Sequence, residues 1–196
     1  MNRTVTIPHH ESAVPSQWVR RWASLIAPGG RVLDVACGGG RHARYLAQLG
    51  HPVDAVDRDA EALATLTGIE GVAIRAADLE NGQWPYASVQ FAGIVVANYL
   101  HRPLFPRLID ALAVGGVLIY ETFAAGNERY GRPRNPDFLL QPGELLEIVR
   151  GQLKVIAYED VFTELPKSAM VQRICAVNGA VSGDWVSNRL QGGQKS

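Results

Sequence analysis

Cysteine, net charge and long apolar runs are all scarce in this chain, and each shortage removes a class of function. Only two cysteines occur among the 196 residues, Cys37 and Cys175, far apart in sequence. Neither a disulfide framework nor a C-x-x-C metal pattern follows from them, and both are expected to be reduced and in or near the core. Lysine plus arginine total 19, as do aspartate plus glutamate, which leaves no global pull toward nucleic acid or anionic lipid. No apolar run reaches the roughly 18 residues needed to span a bilayer. The opening segment MNRTVTIPHHESAVPSQW lacks the apolar core of a secretory signal. A cytoplasmic protein without a membrane partner is expected. His9 and His10 are adjacent, but two neighbouring histidines alone do not make a metal site, and no metal is expected.

What is present describes a globular domain. Hydrophobic residues make up 47% and charged residues 19% of a chain long enough to bury a core. The pattern alternates strand and helix without an internal repeat. QWVRRWASLI places Trp18, Trp22, Leu25 and Ile26 on one helical face, and Pro28-Gly29-Gly30 stops it. RVLDVA, HPVDAVD, VAIRAAD, FAGIVVAN and VLIYETF read as five strands. RHARYLAQLG, RDAEALATLTG and LFPRLIDALAVGG read as helices between them. PGELLEIVRG gives a further helix with Pro142 in its opening turn. LKVIAYEDV and AMVQRICAVN have no helical pattern between them and should form an antiparallel hairpin. The expected fold is α/β, a doubly wound, Rossmann-like, mostly parallel seven-stranded sheet with a C-terminal antiparallel hairpin. The domain should run from 16 to 178, with flexible segments at 1–15 and 179–196. Ligands of such sheets bind beyond the carboxyl ends of the strands.

RVLDVACGGGRHARYLAQLG puts three glycines between the first strand and a helix. Glycine permits positive φ and removes the Cβ that keeps a ligand from the main chain. Gly38 to Ala43 also fits the dinucleotide fingerprint G-x-G-x-x-A, with Asp57 closing the second strand, so a nicotinamide enzyme is a rival reading. The run VLDVACGGGRHARYLA, however, resembles motif I of class I S-adenosylmethionine-dependent methyltransferases, D/E-x-G-x-G-x-G, with Ala36 in place of the first glycine. Asp57, followed by Arg58, matches the acidic position of that family. Asp78 and Leu79 in RAADLENGQWPYASVQFAGIVVAN resemble its adenine-binding segment, and the terminal hairpin matches its sheet. In style and size the chain is similar to the TehB-like tellurite-resistance methyltransferases.

The resemblance implies a binding set for S-adenosylmethionine, with S-adenosylhomocysteine as product. Gly38, Gly40 and Ala36 would let the turn approach the amino-acid end, and Asp34 would orient it. Asp57 and Arg58 would lie at the ribose, Asp78 and Leu79 at the adenine, and Asn98 beside the cofactor. On the acceptor side, ANYLHRPLF follows the fourth strand with Tyr99, His101 and Arg102. It lacks the N/D-P-P-Y motif of amino-methylating nucleic-acid enzymes. His101 and Glu121 are candidate bases. The long loop after the fifth strand carries Arg129 and Tyr130 and reads as a lid able to bind an anionic or planar substrate. The function implied is methyl transfer to a small-molecule acceptor: a thiol, a tellurite- or selenite-type anion or another small metabolite. An RNA-nucleoside methyltransferase and a non-catalytic binding module remain alternatives.

Overall fold

The structure is a computed structural model that describes residues 14–179. The expectations for His9, His10 and nearly all of the two terminal segments lie outside the described residues. Seven strands form one sheet in the order β3-β2-β1-β4-β5-β7-β6. They are β1 (Val32–Val35), β2 (Val53–Asp57), β3 (Val72–Ala76), β4 (Phe91–Ala97), β5 (Leu112–Phe123), β6 (Leu153–Thr163) and β7 (Ala169–Asn178). β1 to β5 pair in parallel, and β7 lies antiparallel between β5 and β6. The helices are α1 (Gln17–Trp22), α2 (Arg41–Gln48), α3 (Ala60–Ala64), α4 (Phe105–Asp110) and α5 (Glu144–Val149). Among the described residues, no helix is long and apolar enough to cross a membrane.

The central strands are apolar on both faces because each face carries a core of its own. On β4, Ile94 and Val96 pack with Phe105 and Leu108 of α4 and Leu145 of α5. Val95, one residue out of phase, packs on the opposite face with Trp18 and Trp22 of α1, Leu46 of α2 and Leu63 of α3. The period-two alternation of a strand divides the two sets. Each such aliphatic side chain contributes about 1.5–3 kcal/mol on full burial. α1 is capped by the Ser16 hydroxyl, which accepts from the Trp18 and Val19 amides at 3.0 and 3.4 Å. Trp18 Nε1 donates to the Ile174 carbonyl at 3.2 Å and so fastens α1 to β7. Both cysteines are buried in the core of α1 to α3.

One element differs from expectation. The helical reading of LFPRLIDALAVGG holds only as far as Asp110, and β5 begins at Leu112. Leu112 pairs with Phe91, and the register then shifts so that Val117 pairs with Gly93. The Gly115-Gly116 pair supplies the irregularity: Gly115 has φ +78°, and a Cβ on Gly116 would lie 2.8 Å from the Phe91 carbonyl oxygen. The glycines mark a bulge inside a long strand rather than the end of a helix.

The strand order fixes where a ligand can enter. The chain runs outward from β1 through β2 to β3, then returns to place β4 on the other side of β1. The connections leaving β1 and β4 diverge, which opens a crevice at the carboxyl ends of the strands.

Candidate functional site

The turn after β1 is held in a left-handed path. Ala36 has φ +51°, Gly38 +53° and Gly40 +73°. Gly40 starts α2 and packs so closely that a Cβ there would lie 2.4 Å from both methyl carbons of Leu66. Ala36 adopts this conformation at a steric cost that glycine would not carry. That accounts for the glycine preferred there by the motif. Asp57 ties the turn to β2: its Oδ2 accepts from the Gly38 amide at 2.8 Å and its Oδ1 from the Asp59 amide at 2.9 Å. An ionised carboxylate offers about four lone-pair directions, so these two bonds leave Asp57 acceptor capacity toward the crevice.

The crevice is a cleft of about 390 Å³, within the range of small-molecule sites. From the β1, β2 and β3 side it is lined by Ala36, Gly38, Asp57, Arg58, Asp78, Leu79 and Glu80. From the β4 and β5 side it is lined by Asn98, Tyr99, Leu100, Thr122 and Phe123, with Pro133 and Phe138 from the long loop. Asn98, the first residue past β4, is with Ala36 one of two non-glycine residues with positive φ among the described residues, at +58°. Left-handed alanine and asparagine therefore stand at the ends of the two strands that flank the switch point. Backbone strain concentrates at functional sites when the surrounding structure holds it in place. Here the Asn98 amide donates to the Glu121 carbonyl at 3.0 Å, and the Tyr120 hydroxyl donates to the Tyr99 carbonyl at 2.7 Å.

The polar groups on the floor are locally tied. Asp78 Oδ1 accepts from the Glu80 amide at 2.9 Å, and its Oδ2 from Asn81 Nδ2 at 2.6 Å. The Tyr99 hydroxyl donates to Glu80 Oε1 over a long 3.4 Å. Burial, reinforced by the Glu80 carboxylate, holds the Tyr99 phenol well above the usual phenol range, so it stays protonated.

Other residues expected at the site are engaged elsewhere. Arg102 faces α5: Nε and Nη2 donate to the two oxygens of Glu144 at 2.7 and 3.0 Å. Its Nη1 and Nη2 also donate to the carbonyls of Asp137 and Leu139 at 2.7 and 2.9 Å. It is a strut for the loop rather than a lining residue. Glu121 is buried and ion-paired to Arg173 at 3.1 Å, on the β7 side of β5. Arg173 sits directly opposite it in register, with Glu159 on the next strand. Such a paired carboxylate is not poised as a base. Tyr130 stacks on Phe162 of β6 with ring centroids 4.8 Å apart. Neither it nor Arg129, His101, Gly40 or the buried Asp34 is among the residues lining the cleft. The loop does reach the cleft, through Pro133 and Phe138, which the arginine-centred reading passed over. Glu80 and Phe123 were missed as well. Asp78 and Glu121 stand beside them in sequence, so their positions at strand ends were the available signal.

Residues 32–116 match the family model described as a methyltransferase domain. This segment, under half of the chain, is similar to a methyltransferase domain. It contains the glycine turn and the residues after β2, β3 and β4. A search of curated proteins finds no match. Among solved structures, the chain is similar to TehB from Haemophilus influenzae, with TM-score 0.71 and 20% identity over 87% of this chain and 64% of that one. The chain thus spans less than two thirds of that protein's length. A TehB-like S-adenosylmethionine-dependent methyltransferase from Corynebacterium glutamicum matches with TM-score 0.61 and 20% identity, covering 83% of this chain and 87% of that one. The glycopeptide N-methyltransferase MtfA, complexed with S-adenosylhomocysteine, matches with TM-score 0.62 and 18% identity over 89% and 94% of the two chains. At these identities the structural likeness speaks for the fold: a mostly parallel seven-stranded methyltransferase sheet with its antiparallel β5-β7-β6 end.

The cleft carries a set of groups that fits an adenosyl sulfonium chemically. An adenosyl sulfonium has hydroxyls and an amino group to donate and no pyrophosphate to receive. The cleft offers the carboxylates of Asp57 and Asp78 and bare main chain at Gly38.

Proposed function

We propose that this protein transfers a methyl group from S-adenosylmethionine to a small-molecule acceptor bound on the β4–β5 side of the cleft. The observation that carries the reading is the split lining of one crevice, with carboxylates and bare backbone on one side and aromatic and aliphatic side chains on the other. Asp57 would accept from the ribose hydroxyls with its remaining lone pairs while holding the Gly38 amide in place. Asp78 would accept from the adenine amino group, and Leu79 would pack beside the ring. Arg58, Ala36, Gly38 and Asn98 would line the rest of the cofactor's path. Bound cofactor supplies an activated methyl on a strong leaving group.

The chain's own part is alignment. Tyr99, Leu100, Thr122 and Phe123 would set the acceptor opposite the methyl, and Pro133 and Phe138 would exclude water. Positioning of this kind is worth up to about 7–11 kcal/mol of barrier in favourable systems. With Glu121 ion-paired and His101 outside the lining, no side-chain base is assigned. The zero net charge and the absence of arginines other than Arg58 from the lining favour a small acceptor over a polynucleotide.

Calorimetric titration with S-adenosylmethionine, S-adenosylhomocysteine and a nicotinamide dinucleotide tests the reading. Saturable binding of the first two is expected. Asp57→Ala should weaken it about 10- to 100-fold, since it removes a charged acceptor and frees the turn. Preference for the dinucleotide, or unchanged affinity in the variant, would overturn the assignment.

A further inference from the structure

The acceptor side of the cleft is apolar, and the charges around it have one dominant sign. Leu100, Phe123, Pro133 and Phe138 line it, and Phe138 remains 51% exposed although large and aromatic. Asp57, Asp78 and Glu80 line the cleft against the single cation Arg58. Of the nearby guanidinium groups, Arg102 is taken by Glu144 and Arg173 by Glu121 and Glu159, while Arg132 and Arg134, on either side of Pro133, are exposed and not among the lining residues. An oxyanion would enter a crevice lined by three carboxylates and one cation, where like charge and lost hydration count against it.

Glu80 is placed to do the opposite. It follows β3 and Tyr99 follows β4, and β2 and β1 lie between those strands in the sheet. Three strand spacings come to about 14 Å, yet the two side chains meet at 3.4 Å. The two side chains therefore meet across the cleft, the carboxylate reaching from the β3 side toward the β4 side. The Tyr99 ring beside it offers a π face that also favours a cation.

We propose that the acceptor is an amine carried on a planar apolar body, drawn in as an ammonium by Glu80 and Tyr99 and packed against Phe138 and Leu100. The inference rests on the methyl-transfer reading above. The ammonium gives one proton to solvent through the open cleft. The nitrogen lone pair then forms the N–C bond to the methyl carbon as the S–C bond breaks, and that bonding pair stays on sulfur. The resulting methylammonium is released or loses a further proton to solvent.

The test uses the full chain with methyl-labelled S-adenosylmethionine and six probes: 2-phenylethylamine, benzylamine, tryptamine, methylamine, thiophenol and selenite. At least one aryl amine should be methylated with kcat/KM about tenfold or more above methylamine, and selenite should be inert. Glu80→Gln should raise the aryl-amine KM about tenfold, as expected for loss of a charged partner, with kcat and S-adenosylmethionine affinity little changed. Phe138→Ala should raise KM for the aryl amine and not for methylamine. Higher kcat/KM on thiophenol or selenite, an aryl-amine KM indifferent to Glu80→Gln, or a cofactor-binding protein that methylates none of the amines would overturn the proposal while leaving methyl transfer intact. Failure to bind S-adenosylmethionine at all would overturn both.

Discussion

Arg102→Ala distinguishes a structural strut from a substrate-binding arginine. The side chain makes two hydrogen bonds to the Glu144 carboxylate and one each to the Asp137 and Leu139 carbonyls. A hydrogen bond to a charged group contributes about 1.5–3 kcal/mol, and a neutral one about 1. Arg102 is 39% exposed, so solvent screening puts the sum at the low end, while Glu144, at 17%, would be left partly buried and uncompensated. A loss of about 2–3 kcal/mol follows. For a chain of this size, each kcal/mol shifts Tm by about 2–4 °C, so thermal unfolding should begin roughly 4–12 °C earlier. Burial alone would raise the Glu144 carboxyl, but the hydrogen bonds from Arg102 and the Gln141 amide, with the Arg102 charge, bring it below 4.5. A carboxylate with a depressed folded pKa stabilises fully above its unfolded pKa and loses that contribution as pH falls through the folded value. The gap between wild type and Arg102→Ala should therefore narrow below about pH 4.5. In a double-mutant cycle, Arg102→Ala and Glu144→Ala should couple by more than about 1 kcal/mol. Additive effects, or a wild-type Tm together with a raised acceptor KM, would refute the strut and restore the arginine to substrate binding.

Two further substitutions probe the fold around the turn. Gly39 has open space where a Cβ would go, and Gly40 has Leu66 at 2.4 Å together with positive φ. Gly39→Ala should leave chemical denaturation within about 0.5 kcal/mol of wild type. Gly40→Ala should cost about 2 kcal/mol or more from strain and overpacking. Equal effects would mean that the turn is not held as described. His42 is buried, and its Nε2 accepts from the Ser16 amide at 3.2 Å. Burial first, and the Arg41 charge second, push its pKa down from 6.5 to about 3. The unfolded chain therefore binds the extra proton first, and stability should fall as pH drops from 6.5 toward 3. One unit is worth about 1.4 kcal/mol, so the loss should reach a few kcal/mol. His42→Gln should flatten that slope in urea titrations at several pH values, and an unchanged slope would assign it to other groups.

Strand ends are legible in this sequence, and side-chain direction around the cleft is not. The apolar runs of β1, β2 and β4 stand out because both sheet faces are covered, and each stops at a polar or glycine residue where the chain turns over the carboxyl edge. That is why Ala36, Gly38, Asp57, Arg58, Asp78, Leu79, Asn98 and Tyr99 all line one crevice. Glu121 stands at such an end too, yet its role depends on period-two alternation and on register with a strand 52 positions further on. Arg173 faces it only once the hairpin pairing is known, and that pairing puts a cation between Glu121 and Glu159. A local reading finds a carboxylate near a site; the register turns it into part of a cross-strand ion pair. The loop inverts the same lesson. Charge drew attention to Arg129, whereas Pro133 and Phe138 are the loop residues on the cleft, with Phe138 left half exposed. An exposed aromatic ring on a pocket rim is costly to leave in water, so the loop's chemistry is better read from its apolar residues than from its arginines.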